Sequence, residues 1–466
     1  MSELSKEGAL YELLARGNKD VYFQNDTVSA LSPFRNNYKR IPAFVHERRQ
    51  IPPINNADFN KIVEFDFEVA GDVFTHPTLL IDLPTWLPSD YAPLNYKSIV
   101  TDSNNVSYGY TKAIGYFLFD NIQIYQDQIL IQEFSGDALY ATRLSRGSLN
   151  SAYLENDLIG YHDGSTLAIG RNATPNTLRL ELPLLGCQNI DDGGFPSFGL
   201  RSQNIRLRCK LRALEDIVES SDSQVKPTPW SRGDFKIQTS AGGQFTTFPT
   251  IDRYKIGQPT IYLETRHVYV DPDTQKELVE SSLEVPFSRL YENTFHFIEK
   301  DYAPLSRGAI AAVTRRIDAV HPASRLVFFL RQKTDIMTNK LWKINSDVSN
   351  NEFYNNISFL IGSRDRETSF SPLIWNVLSQ HAKEDRYSGK GLGIINWDLG
   401  EQRGRRAPFA RQPEGSVNFS TADRPTLYME LQQIAGSNRD TEMRLIVDVW
   451  ADYQTEDRRG SLKYAN

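Results

Sequence analysis

Glycine, histidine, acidic and serine residues do chemistry only at particular spacings, and each spacing can be looked for in this chain. A phosphate-cradling loop needs G-x-x-x-x-G-K-[ST], so that backbone amides wrap the phosphates and the lysine reaches them. Gly389-Lys390-Gly391 does not supply that frame. Gly391-Leu392-Gly393 begins a dinucleotide fingerprint, but Asn396 stands where the third glycine belongs. No strand–helix–strand pattern surrounds it, so a loop explains these glycines better.

Seven histidines occur, His46, His76, His162, His267, His296, His321 and His381, and none forms H-x-H or H-E-x-x-H. Zinc sites usually draw on such close pairs, because one strand or helix face must present two ligands. Asp271-Pro272-Asp273 imitates the start of a calcium loop, but Lys276 and Ser282 occupy the positions that would need Gly and Glu. A hairpin turn accounts for these acids. There is no G-x-S-x-G elbow for a serine nucleophile. No two carboxylates are singled out by spacing. The expectation is a protein that is not an enzyme, with no catalytic, cofactor-binding or metal-binding residues and no cofactor.

Charge narrows the partners. The chain carries 52 Lys and Arg against 58 Asp and Glu, a formal net charge of −6. A coat that neutralises phosphate is usually basic, so no direct contact with nucleic acid is expected. Arg48-Arg49, Arg315-Arg316 and Arg403-Gly404-Arg405-Arg406 are scattered and read as solvated loops or subunit contacts. The two cysteines, Cys187 and Cys209, are too few for a disulfide framework in 466 residues and read as reduced thiols. Five N-x-[ST] triplets begin at Asn25, Asn105, Asn172, Asn356 and Asn418. Met1 to Lys6 is polar, so no secretory leader is expected, and no apolar run reaches membrane-spanning length.

The elements that could hold such residues are mostly strands. Leu10, Leu13 and Leu14 ahead of Gly17 outline one short helix. The period then becomes two. Val63, Phe65, Phe67 and Val69 alternate with acids, as do Leu178, Leu180 and Leu182 with Arg179 and Glu181. Ile205, Leu207, Cys209 and Leu211 alternate with basic residues, which places Cys209 on an apolar strand face. From Glu219 to Gly233 serines and prolines mark a linker. Beyond it, Thr260 to Val270 reads as a strand, Asp271 to Thr274 as a turn, and Arg325 to Leu330 as a β-rich run. Leu427, Met429 and Leu431, and then Met443, Leu445, Val447 and Val449, alternate again. Ser371-Pro372 opens one helix through Leu373, Val377, Leu378 and His381. Asp90 to Ser107 and Ser363 to Arg411 read as long loops. Many strands with long excursions and few helices point to sandwiches or jelly rolls.

Specific words in the chain add to this. Gly8-Ala9-Leu10, Leu13-Leu14-Ala15-Arg16-Gly17 and Asp20-Val21-Tyr22 resemble the N-terminal signature of the major capsid proteins of nucleocytoplasmic large DNA viruses. Leu182-Pro183-Leu184 with Cys187, then the Ile205 to Leu211 strand, resembles the end of that family's first jelly roll. Ile261 to Tyr269, Asp271 and Glu284 to Phe287 look like the opening strand and short helix of its second. His321-Pro322 with Arg325-Leu326-Val327-Phe328-Phe329 resembles a strand of that second roll. Gln412-Pro413-Glu414-Gly415-Ser416-Val417-Asn418-Phe419-Ser420 with Arg424-Pro425-Thr426-Leu427 is similar to the family's Q-P-S-G-x-x-N-F-S signature. Gly460 to Asn466 resembles its ending.

The resemblance covers nearly the whole chain. It implies an all-β double jelly roll, two eight-stranded antiparallel sandwiches in tandem, with a short N-terminal helix and a few loop helices. The expected organisation is an arm over 1–24, a first roll over 25–218, a linker over 219–240 and a second roll over 241–466. It implies a homotrimeric, pseudo-hexameric capsomer tiling an icosahedral shell over an internal membrane, in a virion assembled in host cytoplasm or a viral factory. Minor capsid, cement and penton proteins would be its partners besides itself. Two other readings stand beside it: a transient assembly scaffold of the same fold, as in poxviruses, and a carbohydrate-binding β-sandwich. The scattered Trp86, Trp230, Trp342, Trp375, Trp397 and Trp450 outline no sugar platform.

Overall fold

Alternation in the sequence becomes alternation of burial. The computed structural model describes residues 43–67, 71–84, 100–101, 108–146, 158–160, 177–188, 193–200, 203–220, 233–238, 245–250, 256–298, 301–302, 311–344, 354–361, 364–370, 374, 392–398, 413, 415–420, 425–431, 440–456 and 459–463. From Phe44 onward they belong to one unit. In strand β2 (Ile62–Phe67), Val63, Phe65 and Phe67 are buried while Asp66 is exposed. In β9 (Ile205–Leu211) the four apolar positions point inward and the basic ones outward. Branched and aromatic side chains fit such a half-buried pleat.

The first set of sheets uses β1 (Phe44–Ile51), β2, β3 (Val73–Asp82), β6 (Phe119–Gln126), β7 (Ile129–Phe134), β8 (Leu178–Glu181), β9 and β13 (Thr260–Val270). They form two four-stranded antiparallel sheets, in the orders β1-β13-β3-β8 and β2-β9-β6-β7. Between these lie Phe65, Leu79, Ile122, Leu180, Leu207 and Leu263. Small accessory sheets join β5 (Tyr108–Tyr110) to β10 (Val218–Ser220), and β11 (Gly233–Gln238) to β4 (Val100–Thr101) and β12 (Phe245–Thr250). Two helices, α1 (Ile114–Phe117) and α2 (Gly136–Arg146), interrupt the strands.

The second set contains β14 (Leu283–Phe297), β15 (Ala311–Arg316), β16 (Pro322–Gln332), β17 (Tyr354–Ile361), β18 (Arg364–Phe370) and β19 (Gly393–Asn396). It continues with β20 (Val417–Asn418), β21 (Thr426–Leu431), β22 (Thr441–Glu456) and β23 (Arg459–Leu462). One sheet runs β14-β22-β16-β19, with β20 on β16 and β23 on β22; the other runs β15-β21-β17-β18.

At β16 and the adjoining part of β22 the β14-β22-β16-β19 sheet is covered on both faces. Leu326, Phe328 and Leu330 of β16, with Leu445 and Val447 of β22, enter the core of the second set. The intervening Val327, Phe329 and Ile446 enter the core of the first set. A strand dry on both sides reads as a continuous apolar run, which is why β16 is written Leu326-Val327-Phe328-Phe329-Leu330 and β22 Leu445-Ile446-Val447. The two halves therefore share a sheet.

Four features differ from the sequence expectation. Thr260–Val270 is a strand, but it pairs with β1 and β3 of the first set and does not open the second. Asp271 to Thr274 is no hairpin turn. Asp271 caps the helix α3 (Pro272–Glu280), accepting hydrogen bonds from the backbone N–H of Thr274 at 3.3 Å and from its hydroxyl at 2.7 Å. A cap followed by proline at the first helical position starts a helix, and here those signals outweigh the turn composition. The chain thus crosses between the sets through α3, while 219–240, expected as a linker, holds the end of β10 and all of β11. The stretches expected as loops contain β4, β18 and β19. The helix expected ahead of Gly17 lies outside the described residues, as does all of 371–381 except residue 374.

Candidate functional site

The most concentrated polar chemistry in the described residues lies where the two halves meet. It begins with α2. Ser135 caps this helix, its Oγ accepting from the Ala138 N–H at 3.0 Å. The Ser135 hydroxyl and N–H donate in turn to Glu292 of β14, at 2.7 and 2.9 Å. The capped first turn holds Asp137, which faces the second half. Its Oδ1 accepts from Arg331 Nη1 of β16 at 2.7 Å, and its Oδ2 from Arg212 at 3.3 Å. Arg331 Nη2 donates to Glu442 of β22 at 3.0 Å, and Arg444 donates to the same carboxylate at 2.7 Å.

These charges are nearly dry, so each must be matched by an opposite one. Burial by itself would raise the Asp137 carboxyl, but Arg331, Arg212 and Arg444 outweigh it and hold the group well below the usual carboxylate range. Glu442 behaves alike: burial pushes it up, while Arg444 and Arg331 bring it down overall. Glu292 is answered mainly by a serine, and burial leaves it raised.

A second line crosses at Ser288 of β14. Its N–H donates to Gln188 Oε1 at 2.8 Å and its carbonyl accepts from Gln188 Nε2 at 2.6 Å. The Ser288 hydroxyl donates to Asp448 of β22. Asp448 also faces Arg325 at 3.6 Å, and Arg325 Nη1 donates to Ser145 of α2 at 3.0 Å.

The third line is a clamp. Helix α4 (Lys333–Met337) and the residues through Ile344 leave β16 and reach the first half. Leu341 packs with Ala113, Phe117, Tyr140 and Ile159. Asn339 has φ 60°, a left-handed conformation that asparagine tolerates better than most residues. Its Nδ2 donates to the carbonyls of Val218 at 2.6 Å and Glu215 at 2.7 Å. Trp342 Nε1 donates to Glu219 at 3.0 Å, and Lys112 sits 4.2 Å above the indole ring.

The C-terminal strand closes a fourth contact. The Gly460 carbonyl accepts from Gln126 at 2.7 Å and from Gln203 at 3.1 Å, and its N–H donates to Gln203 at 2.8 Å. Tyr453 donates to Gln126 at 3.1 Å.

Chemically these groups neutralise and orient one another across the junction. The residues considered for chemistry in the sequence are not gathered there. Of the histidines, His46 is on β1, His76 on β3, His267 on β13, His296 on β14 and His321 just before β16. Among the described residues no group of three His, Cys, Asp or Glu is placed to hold a metal ion. Gly393 lies in β19, while Gly389 to Gly391, His162, His381 and Arg403 to Arg406 fall outside the described residues. Cys187 and Cys209 are free thiols. The junction residues escaped the sequence reading, yet one signal pointed to them: Arg325 and Arg331 bracket an apolar run, and Asp448 interrupts another.

The outward faces carry ordinary surface pairs. On β2, β9 and β6 these are Arg206–Asp66 at 2.9 Å, Arg208–Glu64 at 2.8 Å and Lys210–Asp120 at 2.7 Å. At the start of β1, Phe44 and Val45 are 54% and 69% exposed.

No family model and no curated protein matches this sequence. Solved structures do match its fold. The chain is similar to one in the PBCV-1 virus capsid, with 14% identity, a TM-score of 0.69, and coverage of 93% of this chain and 100% of that one. It is similar to the Faustovirus major capsid protein at 11% identity and a TM-score of 0.60, covering 94% of each chain. For the mavirus major capsid protein the identity is 9% and the TM-score 0.52, covering 97% of this chain and 96% of that one. The shared property is the fold, the double jelly roll expected from the sequence.

Proposed function

We propose that this chain is a structural capsid protein, a homotrimeric capsomer that tiles an icosahedral shell. The observation that carries the reading is the end-to-end likeness to the PBCV-1 and Faustovirus chains, which leaves little of either partner unmatched. The junction supports it physically. A shell subunit must hold its two rolls at one fixed angle, because many copies meet at the same contacts. A shared sheet with buried ion pairs does this better than a flexible tether. Three two-roll chains give six lobes around a threefold axis, an outline that packs hexagonally, and the contacts closing that ring are heterologous.

In this reading the protein acts in the virion and catalyses nothing. Its partners are other copies of itself, then minor capsid, cement and penton proteins, with an internal membrane nearby. The exposed charge pairs suit weak contacts between capsomers that salt screens.

Light scattering after gel filtration tests it. Three chains of 53.2 kDa give about 160 kDa. A particle of that mass that forms hexagonal arrays at low salt, and fewer at high salt, is expected. A monomer at micromolar concentration that forms no arrays would overturn the proposal.

A further inference from the structure

The clamp formed by residues 333–344 closes over a group of the first half that the packing alone does not require. Glu219 of β10 is 2% exposed, and its carboxylate meets the indole N–H of a tryptophan and the hydroxyl of a threonine. Glu219 Oε2 accepts from Trp342 Nε1 at 3.0 Å, and Thr111 Oγ1 lies 3.4 Å from the same oxygen. Thr111 Oγ1 also lies 2.8 Å from the backbone carbonyl of Asn339, across the junction. A hydroxyl has one hydrogen to donate. The two acceptors therefore compete for it.

We propose that Glu219 is a proton-operated latch between the two halves, working through the single hydrogen of Thr111. When Glu219 is protonated, its own O–H can point to Thr111 Oγ1, which leaves the threonine hydrogen on the Asn339 carbonyl. The relay Glu219–Thr111–Asn339 then ties the first half to the clamp. When Glu219 releases its proton to solvent, the carboxylate draws the Thr111 hydrogen to itself. Asn339 loses that donor and the clamp loosens.

The surroundings place this exchange near neutrality. Burial raises the Glu219 carboxyl to about 7, against the opposing effects of Trp342, Lys112, Lys340 and Thr111. Lys112 follows β5 and Lys340 follows α4, so the two cations come from opposite halves. Lys343, further along the clamp, is paired with Asp335 at 3.1 Å. Arg331 is taken up by Asp137 and Glu442. Asn339 holds Glu215 by its backbone carbonyl and not by its carboxylate.

Hydrogen exchange of the full chain between about pH 5 and about pH 9, corrected for the intrinsic pH dependence, tests the latch. Protection of the 334–344 amides should fall through a midpoint near 7. Glu219→Gln should keep these amides protected throughout, and Thr111→Val should leave them equally weak at every pH. Flat protection in the parent chain, or a transition that persists in Glu219→Gln, would overturn the proposal. If Glu219→Gln does not fold, Lys112→Met decides. Losing a cation that favours the ionised carboxylate should move the midpoint upward, and an unmoved or lowered midpoint overturns the latch.

Discussion

Arg331 and Asp137 stand 194 positions apart in the chain and meet at 2.7 Å, each with its side chain 2% exposed. One comes from a strand of the shared sheet and the other from the first turn of a helix in the opposite half. Their pairing fixes where α2 sits on that sheet, and several side chains depend on it.

Removing either partner leaves a buried charge without its match. Asp137→Asn or Arg331→Met should each lower stability by about 3–5 kcal/mol, read from denaturant unfolding. The acid limb should change as well. Asp137 is held below its ordinary 3.8 in the folded protein, so its contribution is complete above that pH and is lost as pH falls below it. The Asp137→Asn chain should lack this component of acid destabilisation. An unchanged acid limb would count against the assignment.

Two neighbouring residues on β22 test the shared sheet. Leu445 faces the core of the second set and Ile446 that of the first. Truncating either to Ala should cost about 2–5 kcal/mol by thermal or chemical unfolding. In a strand with one wet face, one of the two would be nearly silent.

Gly460 has no room for a side chain, because a Cβ there would overlap the Tyr453 hydroxyl. Gly460→Ala should displace that hydroxyl from Gln126 and destabilise the fold by about 1–3 kcal/mol. The C-terminal strand should become the first site of limited proteolysis. Parent-like resistance there would mean that β23 is not held as described.

The two cysteines should react in a fixed order. Cys209 is buried in the first core, and burial pushes its thiol far up, so little thiolate forms. Cys187 is half-buried, its thiol 3.4 Å from the Phe74 carbonyl. A thiol reagent applied to the native protein should label Cys187 first, with Cys209 following only on unfolding. Equal rates would contradict the packing around β9.

Strands with one wet face were plain in the sequence, because a period of two is a local signal. Val63 to Phe67, Ile205 to Leu211 and Leu427 to Leu431 form strands whose inward positions are the apolar ones. The destination of a strand is not local. Thr260–Val270 is an evident strand, but pairing with β1 more than 200 positions earlier depends on tertiary closure. The start of α3 reads as a turn from its residues because Asp-Pro-Asp-Thr suits a turn and a helix cap equally, and only the family resemblance pointed to a short helix there.

The junction was legible only as an anomaly. Arg325, Arg331 and Asp448 are charged residues in runs that are otherwise apolar. Their partners Ser145, Asp137 and Ser288 lie far off in the chain, on elements that no periodicity connects. Glu219 was harder still, since it stands at the edge of a polar stretch that composition marks as a linker.

A protein made of two rolls invites the view that it is a pair of modules, open to loss, exchange or replacement one at a time. The strands covered on both faces argue against that view. Their apolar residues alternate between two owners, so a foreign roll would have to reproduce half of a surface written into the other roll's strands. Val327 and Ile446 belong by chain to one roll and by packing to the other, so a change in either must be answered on the far side of the molecule.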